Sequence, residues 1–176
     1  AVFVGHEAEL TALERAFEEV LQRKAKMFLL DGESGVGKTA LLEKFLSEIA
    51  ERRADALVFT GRCYEQEAVP YKAFDGIVDQ VSRWLRKMTQ TNVDMLLPRN
   101  VALLAKTFPV LNRVDRVAEA PRRALAAQDP QELRSRVFVA MRELFDRIAE
   151  RAPLVLVIED LQWADADSLA MLRELI

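Results

Sequence analysis

Only one cysteine, Cys63, and one histidine, His6, occur in 176 residues. A lone cysteine excludes an internal disulfide and fits a reducing cytoplasm. Neither residue has companions of the kind that a metal or nucleophile site would need. No apolar run approaches the roughly 20 residues required to cross a bilayer, and Glu7 and Glu9 interrupt any signal-like segment at the start. A membrane partner is therefore not expected. Charge of one sign is also scarce: the net charge is -3, too little for a global field that would draw in nucleic acid. Residues 99–123 are locally basic, but Lys106, Arg113, Arg116 and Arg122 are interleaved with Asp115 and Glu119, so a solvated surface is the expectation. There is no internal repeat and no low-complexity tract. What remains is an ordinary balance of 51% hydrophobic and 30% charged residues, enough for one domain with a substantial core.

Three of the six glycines stand close together in Gly32-Glu33-Ser34-Gly35-Val36-Gly37-Lys38-Thr39. The run matches the phosphate-binding pattern G-x-x-x-x-G-K-[ST], and its context matches too. The apolar residues Met27-Phe28-Leu29-Leu30 precede it and predict a short buried strand. Leu41, Leu42, Phe45, Leu46 and Ile49 follow on one helical face. Glycines at these positions let the backbone curl until successive N–H groups face one concavity. The helix then adds its positive end. Lys38 can reach the outer phosphates, and the Thr39 hydroxyl can ligate Mg²⁺. With average glycine usage, a chance match in a chain of this length is on the order of one in a hundred or less.

Around that stretch the chain alternates helix and strand. Leu10, Leu13, Phe17 and Leu21 share one face of an opening helix. Glu7, Glu9 and Glu14 lie near its start, and Arg23, Lys24 and Lys26 near its end. Residues 56–60 predict a second strand, left by Gly61-Arg62-Cys63. Residues 64–151 are mostly helical. Ile77, Val81, Trp84, Leu85 and Met88 form one amphipathic face, with further helical segments at 93–97 and 99–107. Residues 109–128 predict loop with some helix. A long helix then opens on Asp129 as cap, Pro130 at the first position and Glu132 at the third. Its face is Val137, Met141, Leu144, Phe145 and Ile148. Leu154-Val155-Leu156-Val157-Ile158 predicts a third strand, apolar throughout as in a parallel strand buried on both faces.

Glu159 and Asp160 follow that strand, at the carboxyl end where open α/β sheets bind ligands. One such carboxylate can hold Mg²⁺, and a neighbour can orient or deprotonate the attacking water.

The segments VFVGHEAEL, GESGVGKT, GRCYEQEAVPYKAF and VLVIEDLQWADADSL together resemble the P-loop ATPase domain of signal-transduction ATPases. These are AAA-like switch modules of bacterial multidomain regulators, and the likeness spans nearly the whole chain. It implies a parallel P-loop sheet flanked by helices, with residues 1–176 forming the N-terminal part of one ATPase domain and a large helical insertion at about 64–151. It also implies ATP and Mg²⁺ as cofactors. By position, Phe3-Val4-Gly5 would lie against the adenine, and Gly32, Ser34, Gly35, Val36, Gly37, Lys38, Thr39 and Ala40 would bind the phosphates. Thr39 and Glu159 would serve the metal, and Asp160 would activate water. His6 stands where the family usually has Arg. Trp163 and Asp165 match a Trp-Ala-Asp run, in which Trp163 is expected to pack in the core.

The resemblance implies a regulatory switch that hydrolyses ATP slowly and whose nucleotide state governs contacts with other domains or protomers. Three alternatives share the loop: an initiator- or loader-like ATPase acting on nucleic acid, a small-molecule kinase, and an interaction scaffold that binds nucleotide without turnover. No DNA-binding module is seen, and the acceptor arginines and lid that a kinase needs are not clearly displayed. In the family it resembles, a later strand separates the loop-bearing strand from the acid-bearing one and carries a γ-phosphate sensor. With only three strands legible before Ile176, the expectation is a sheet truncated after the third strand, weak or absent hydrolysis, and self-association through open edges.

Overall fold

The computed structural model describes residues 6–33, 35–65, 70–121 and 129–175. They fall into two compact units, one running up to residue 57 and one of residues 58–175. The predicted roles of Phe3, Val4, Gly5 and Ser34 lie outside the described residues.

In the first unit, helix α1 (Glu7–Leu21) packs on helix α2 (Lys38–Arg52). Leu13, Ala16 and Phe17 face Leu41, Phe45 and Ile49, all buried, and the rings of Phe17 and Phe45 meet edge-on with centroids 6.3 Å apart. Arg52 pairs with Glu14 at 2.9 Å across the same seam. The basic residues expected at the end of α1 lie beyond its last turn, since the helix stops at Leu21 and Arg23 takes a left-handed φ of 63°. Lys26 instead reaches back to Glu19 at 2.7 Å.

Residues 27–30 do not form the expected buried strand. Met27, Phe28 and Leu29 are 57%, 48% and 71% exposed, and among the described residues the sheet has two strands, not three. An apolar run predicts what a segment would bury, but a strand exists only where a neighbour pairs with its backbone.

The second unit holds that sheet, β1 (Leu57–Arg62) beside β2 (Leu154–Glu159) in parallel. Helices α3 (Lys72–Leu85), α4 (Gln90–Leu96), α5 (Val101–Thr107), α6 (Asp115–Ala118) and α7 (Pro130–Ala149) lie between the strands in sequence, and α8 (Ala166–Leu175) follows them. The core is largely helical. Phe74, Ile77, Val78, Val81 and Leu85 of α3, Leu104 of α5, and Met141, Leu144 and Ile148 of α7 are buried. The α7 cap forms as expected: the Asp129 carboxylate accepts from the Gln131 amide at 3.3 Å, with Pro130 in the first turn. Where a loop with some helix was expected, a short 3₁₀ turn (Pro109–Arg113) leads into α6. The basic residues there are partly neutralised, Arg116 holding Asp94 at 2.6 and 2.8 Å and Glu119 at 3.0 Å.

β2 is less covered than its composition predicts. Val157 is buried and its other residues are half-buried, because α3 and α7 pack on it but, among the described residues, only one strand lies alongside.

The outer edge of β1 is closed by a side chain. The Gln80 amide of α3 donates to the Thr60 carbonyl at 2.7 Å and accepts from the Thr60 N–H at 3.3 Å, replacing a neighbouring strand at that residue. The approach depends on two glycines. A Cβ on Gly61 would stand 2.3 Å from the Ala73 carbonyl oxygen, and one on Gly76 would stand 3.0 Å from that of Thr60.

Candidate functional site

The predicted residues form two groups, one in each unit. In the first, Gly32, Gly35 and Gly37 take positive φ values of 149°, 86° and 94°, a conformation costly for side-chain-bearing residues. The chain thereby curls and enters α2 at Lys38, with the Gly37 carbonyl accepting the first helical bond, from Leu41, at 2.9 Å. Lys38, Thr39 and Ala40 thus occupy the first turn, where amide N–H groups have no partner within the helix. The Lys38 ammonium folds across its own loop, donating to the carbonyls of Gly32 at 2.5 Å and Glu33 at 2.8 Å. Those are neutral acceptors, and the more negatively charged oxygens of a phosphate compete well for the same ammonium.

His6 has a role that its isolation in the sequence did not show. Its Nε2 lies 2.6 Å from the Val36 carbonyl oxygen, and the ring stands 3.3 Å from where a Cβ on Gly37 would be. A carbonyl only accepts, so Nε2 carries the proton in this pairing. In a trans peptide the C=O and N–H point in opposite directions. Holding the Val36 carbonyl on the histidine therefore turns the Gly37 N–H the other way. A histidine at a position where the resembled family has Arg was the signal available.

In the second unit, Glu159 ends β2, and its carbonyl accepts from the Cys63 amide at 3.0 Å. Asp160 follows with left-handed φ 56° and ψ 41° and starts a 3₁₀ turn, Leu161–Trp163. Its carboxylate is engaged on both oxygens: Arg62 Nε donates to Oδ2 at 2.8 Å and Gln162 Nε2 to Oδ1 at 3.3 Å. Arg62, the last residue of β1, thus sits against the predicted water-activating acid. Both partners are well exposed, so solvent screens the pair and it contributes little to stability. Its consequence is positional.

Trp163 is 40% exposed and does not pack in the core as expected, because the 3₁₀ turn buries none of its residues. Asp165, two residues on, is the better-anchored member of the Trp-Ala-Asp run. It accepts from the amides of Tyr71 at 3.1 Å, Lys72 at 3.2 Å and Ser168 at 2.9 Å, and from the Ser168 hydroxyl. Burial works against its charge, but the Ser168 hydroxyl and amide and the Tyr71 amide hold its carboxyl below the ordinary carboxylate value. Asp165-Ala-Asp-Ser168 has the spacing of a helix-start signature, and that was the readable signal.

A family model for the AAA ATPase domain matches residues 2–176. The chain therefore belongs to the AAA ATPase domain family. It is also similar, at 22% identity over 173 residues, to a protein of Rhizobium meliloti (strain 1021) described as uncharacterized. That alignment covers 97% of this chain and 17% of the relative's length. No solved structure gives a significant match. Membership implies a nucleotide-binding ATPase. No helix among the described residues is long and apolar enough to cross a membrane.

Proposed function

We propose that this chain is the ATP-dependent switch domain of a cytoplasmic signal-transduction ATPase. It binds ATP, hydrolyses it slowly, and lets the ATP or ADP state govern contacts with other domains of a longer chain or with other protomers. Residues 1–176 belong to one P-loop domain on this reading, with residues 64–151 as a helical insertion. The observation that carries the reading is the loop with three positive-φ glycines, running straight into the first turn of α2 at Lys38.

The residues fit the cofactors. Gly32, Gly35, Val36, Gly37 and Ala40 supply backbone, Lys38 the charge for the outer phosphates, and Thr39 a hydroxyl for Mg²⁺. Glu159 is the metal-associated acid, and Phe3, Val4 and Gly5 cover the purine. Among the described residues no group of three or more His, Cys, Asp or Glu could hold a metal. An ion of the Mg²⁺ type keeps its waters and relies on substrate phosphates more than on protein. When bound, that ion neutralises phosphate charge. Asp160 orients and deprotonates the attacking water.

A second reading, nucleotide binding without turnover, is favoured by the ion pair that Asp160 makes with Arg62. Phosphate release followed against ATP concentration separates the two.

The test of the loop is Lys38→Ala. An ammonium opposing several phosphate charges is worth at least about tenfold in ATP affinity, or ~1.4 kcal/mol. Calorimetry that gives equal affinities for variant and parent contradicts the phosphate-loop reading.

A further inference from the structure

The turn from β2 to α8 is tied to α3 by side chains that the resemblance left without a role. Tyr71, the residue just before α3, has a left-handed φ of 65° and offers no side-chain cap of its own. The amides at the start of α3 are capped from across the molecule. Tyr71 N–H and Lys72 N–H donate to Asp165, and Ala73 N–H donates to the Ser168 hydroxyl oxygen at 3.2 Å. The same Asp165 carboxylate accepts from Ser168 N–H in the first turn of α8. One carboxylate therefore starts two helices.

The contacts form a closed ring. From Asp165 the path runs into α3, whose Gly76 and Gln80 hold β1 at Gly61 and Thr60. β1 ends on Arg62, which donates to Asp160. From Asp160 the chain returns through the 3₁₀ turn to Asp165, closed by Trp163 N–H to the Asp160 carbonyl at 2.9 Å and Ala164 N–H to that of Leu161 at 3.0 Å. Asp160 sits in this ring with a left-handed backbone, a region that aspartate visits more readily than most side-chain-bearing residues.

We propose that Asp165 is a positioning residue for Asp160: by fastening the acid-bearing turn to the start of α3, it sets where the Asp160 carboxylate stands. This rests on the reading of Asp160 as the water-activating acid. A carboxylate displaced by a fraction of an ångström no longer meets its water in line, and hydrolysis is far more sensitive to this than binding is.

The informative variant is Asp165→Ser, assayed in the complete natural protein. Serine still caps α8 through its hydroxyl, but the shorter side chain cannot also reach Tyr71 and Lys72. Loss of the second tie predicts kcat down by roughly tenfold or more, with the ATP dissociation constant by calorimetry within about twofold of the parent. Retained binding shows that the variant is folded. Asp165→Asn keeps one acceptor oxygen and should fall between the two. A native kcat in Asp165→Ser, while Asp160→Asn is inactive, overturns the proposal, as does a loss of ATP affinity in step with kcat. Full turnover in Asp160→Asn overturns instead the reading of Asp160 beneath it.

Discussion

The glycine loop proposed to bind phosphate and the acid turn are both short segments leading into a helix, yet they are built in opposite ways. The loop gets its shape from glycine: three positive-φ residues within six positions, with side-chain contacts among the described residues from Asp31, His6 and Lys38. The acid turn has no glycine between Glu159 and Ala166. Its shape comes from side chains that reach segments more than ninety residues away, Asp160 to Arg62 and Asp165 to Tyr71 and Lys72. A loop made by backbone freedom can wrap a ligand without disturbing the fold. A turn made by distant hydrogen bonds holds one side chain in one place, which suits a catalytic acid more than a ligand cradle.

Variants that separate folding from binding test that contrast. The largest expected effect is at Gly61, beneath the acid rim. A methyl group there collides with the Ala73 carbonyl, so Gly61→Ala forces β1 and α3 apart. The expected cost is about 3 kcal/mol, or roughly 6–12 °C in the melting temperature of a domain this size. An unchanged melting curve would mean that the close packing of β1 on α3 does not support the rim. A smaller effect is expected at the loop. His6→Ala frees the Val36 carbonyl and the peptide that carries the Gly37 N–H. ATP affinity should fall by about fivefold, the worth of one hydrogen bond near 1 kcal/mol, with no change in melting temperature. Inorganic triphosphate should lose the same factor, because the effect is on the phosphate side. His6→Gln, whose amide nitrogen can donate in place of Nε2, should restore part of it. A loss confined to ATP would place His6 with the base contacts instead.

The same contrast explains what could be read from the chain alone. The loop was legible because its chemistry is local: glycine spacing, a lysine and a hydroxyl residue within eight positions determine both curl and charge. The α7 start at Asp129 and Pro130 was legible for the same reason, since a cap and a fixed φ act within one turn. The acid pair could be placed at the end of β2, but its anchors could not. Nothing local to Arg62, Gln80 or Asp165 says which distant group each will meet. Residues 27–30 failed as a strand for the complementary reason. Their apolar character was plain, but pairing belongs to the neighbour as much as to the segment. Trp163, matched to the Trp-Ala-Asp run of the resembled family, was expected in the core, whereas the 3₁₀ turn that follows Asp160 leaves it partly in solvent.

The central claim is a division of labour: the loop binds and the acid turn turns over. Asp160→Asn tests it most directly, because the amide keeps the shape of the carboxylate and removes its basicity. ATP affinity by calorimetry and phosphate release should be measured on the same preparation of the complete protein. The account predicts affinity within about twofold of the parent and turnover lower by roughly 10²-fold or more, the usual loss when a general base is removed. Normal turnover, or affinity and turnover falling together, would contradict it.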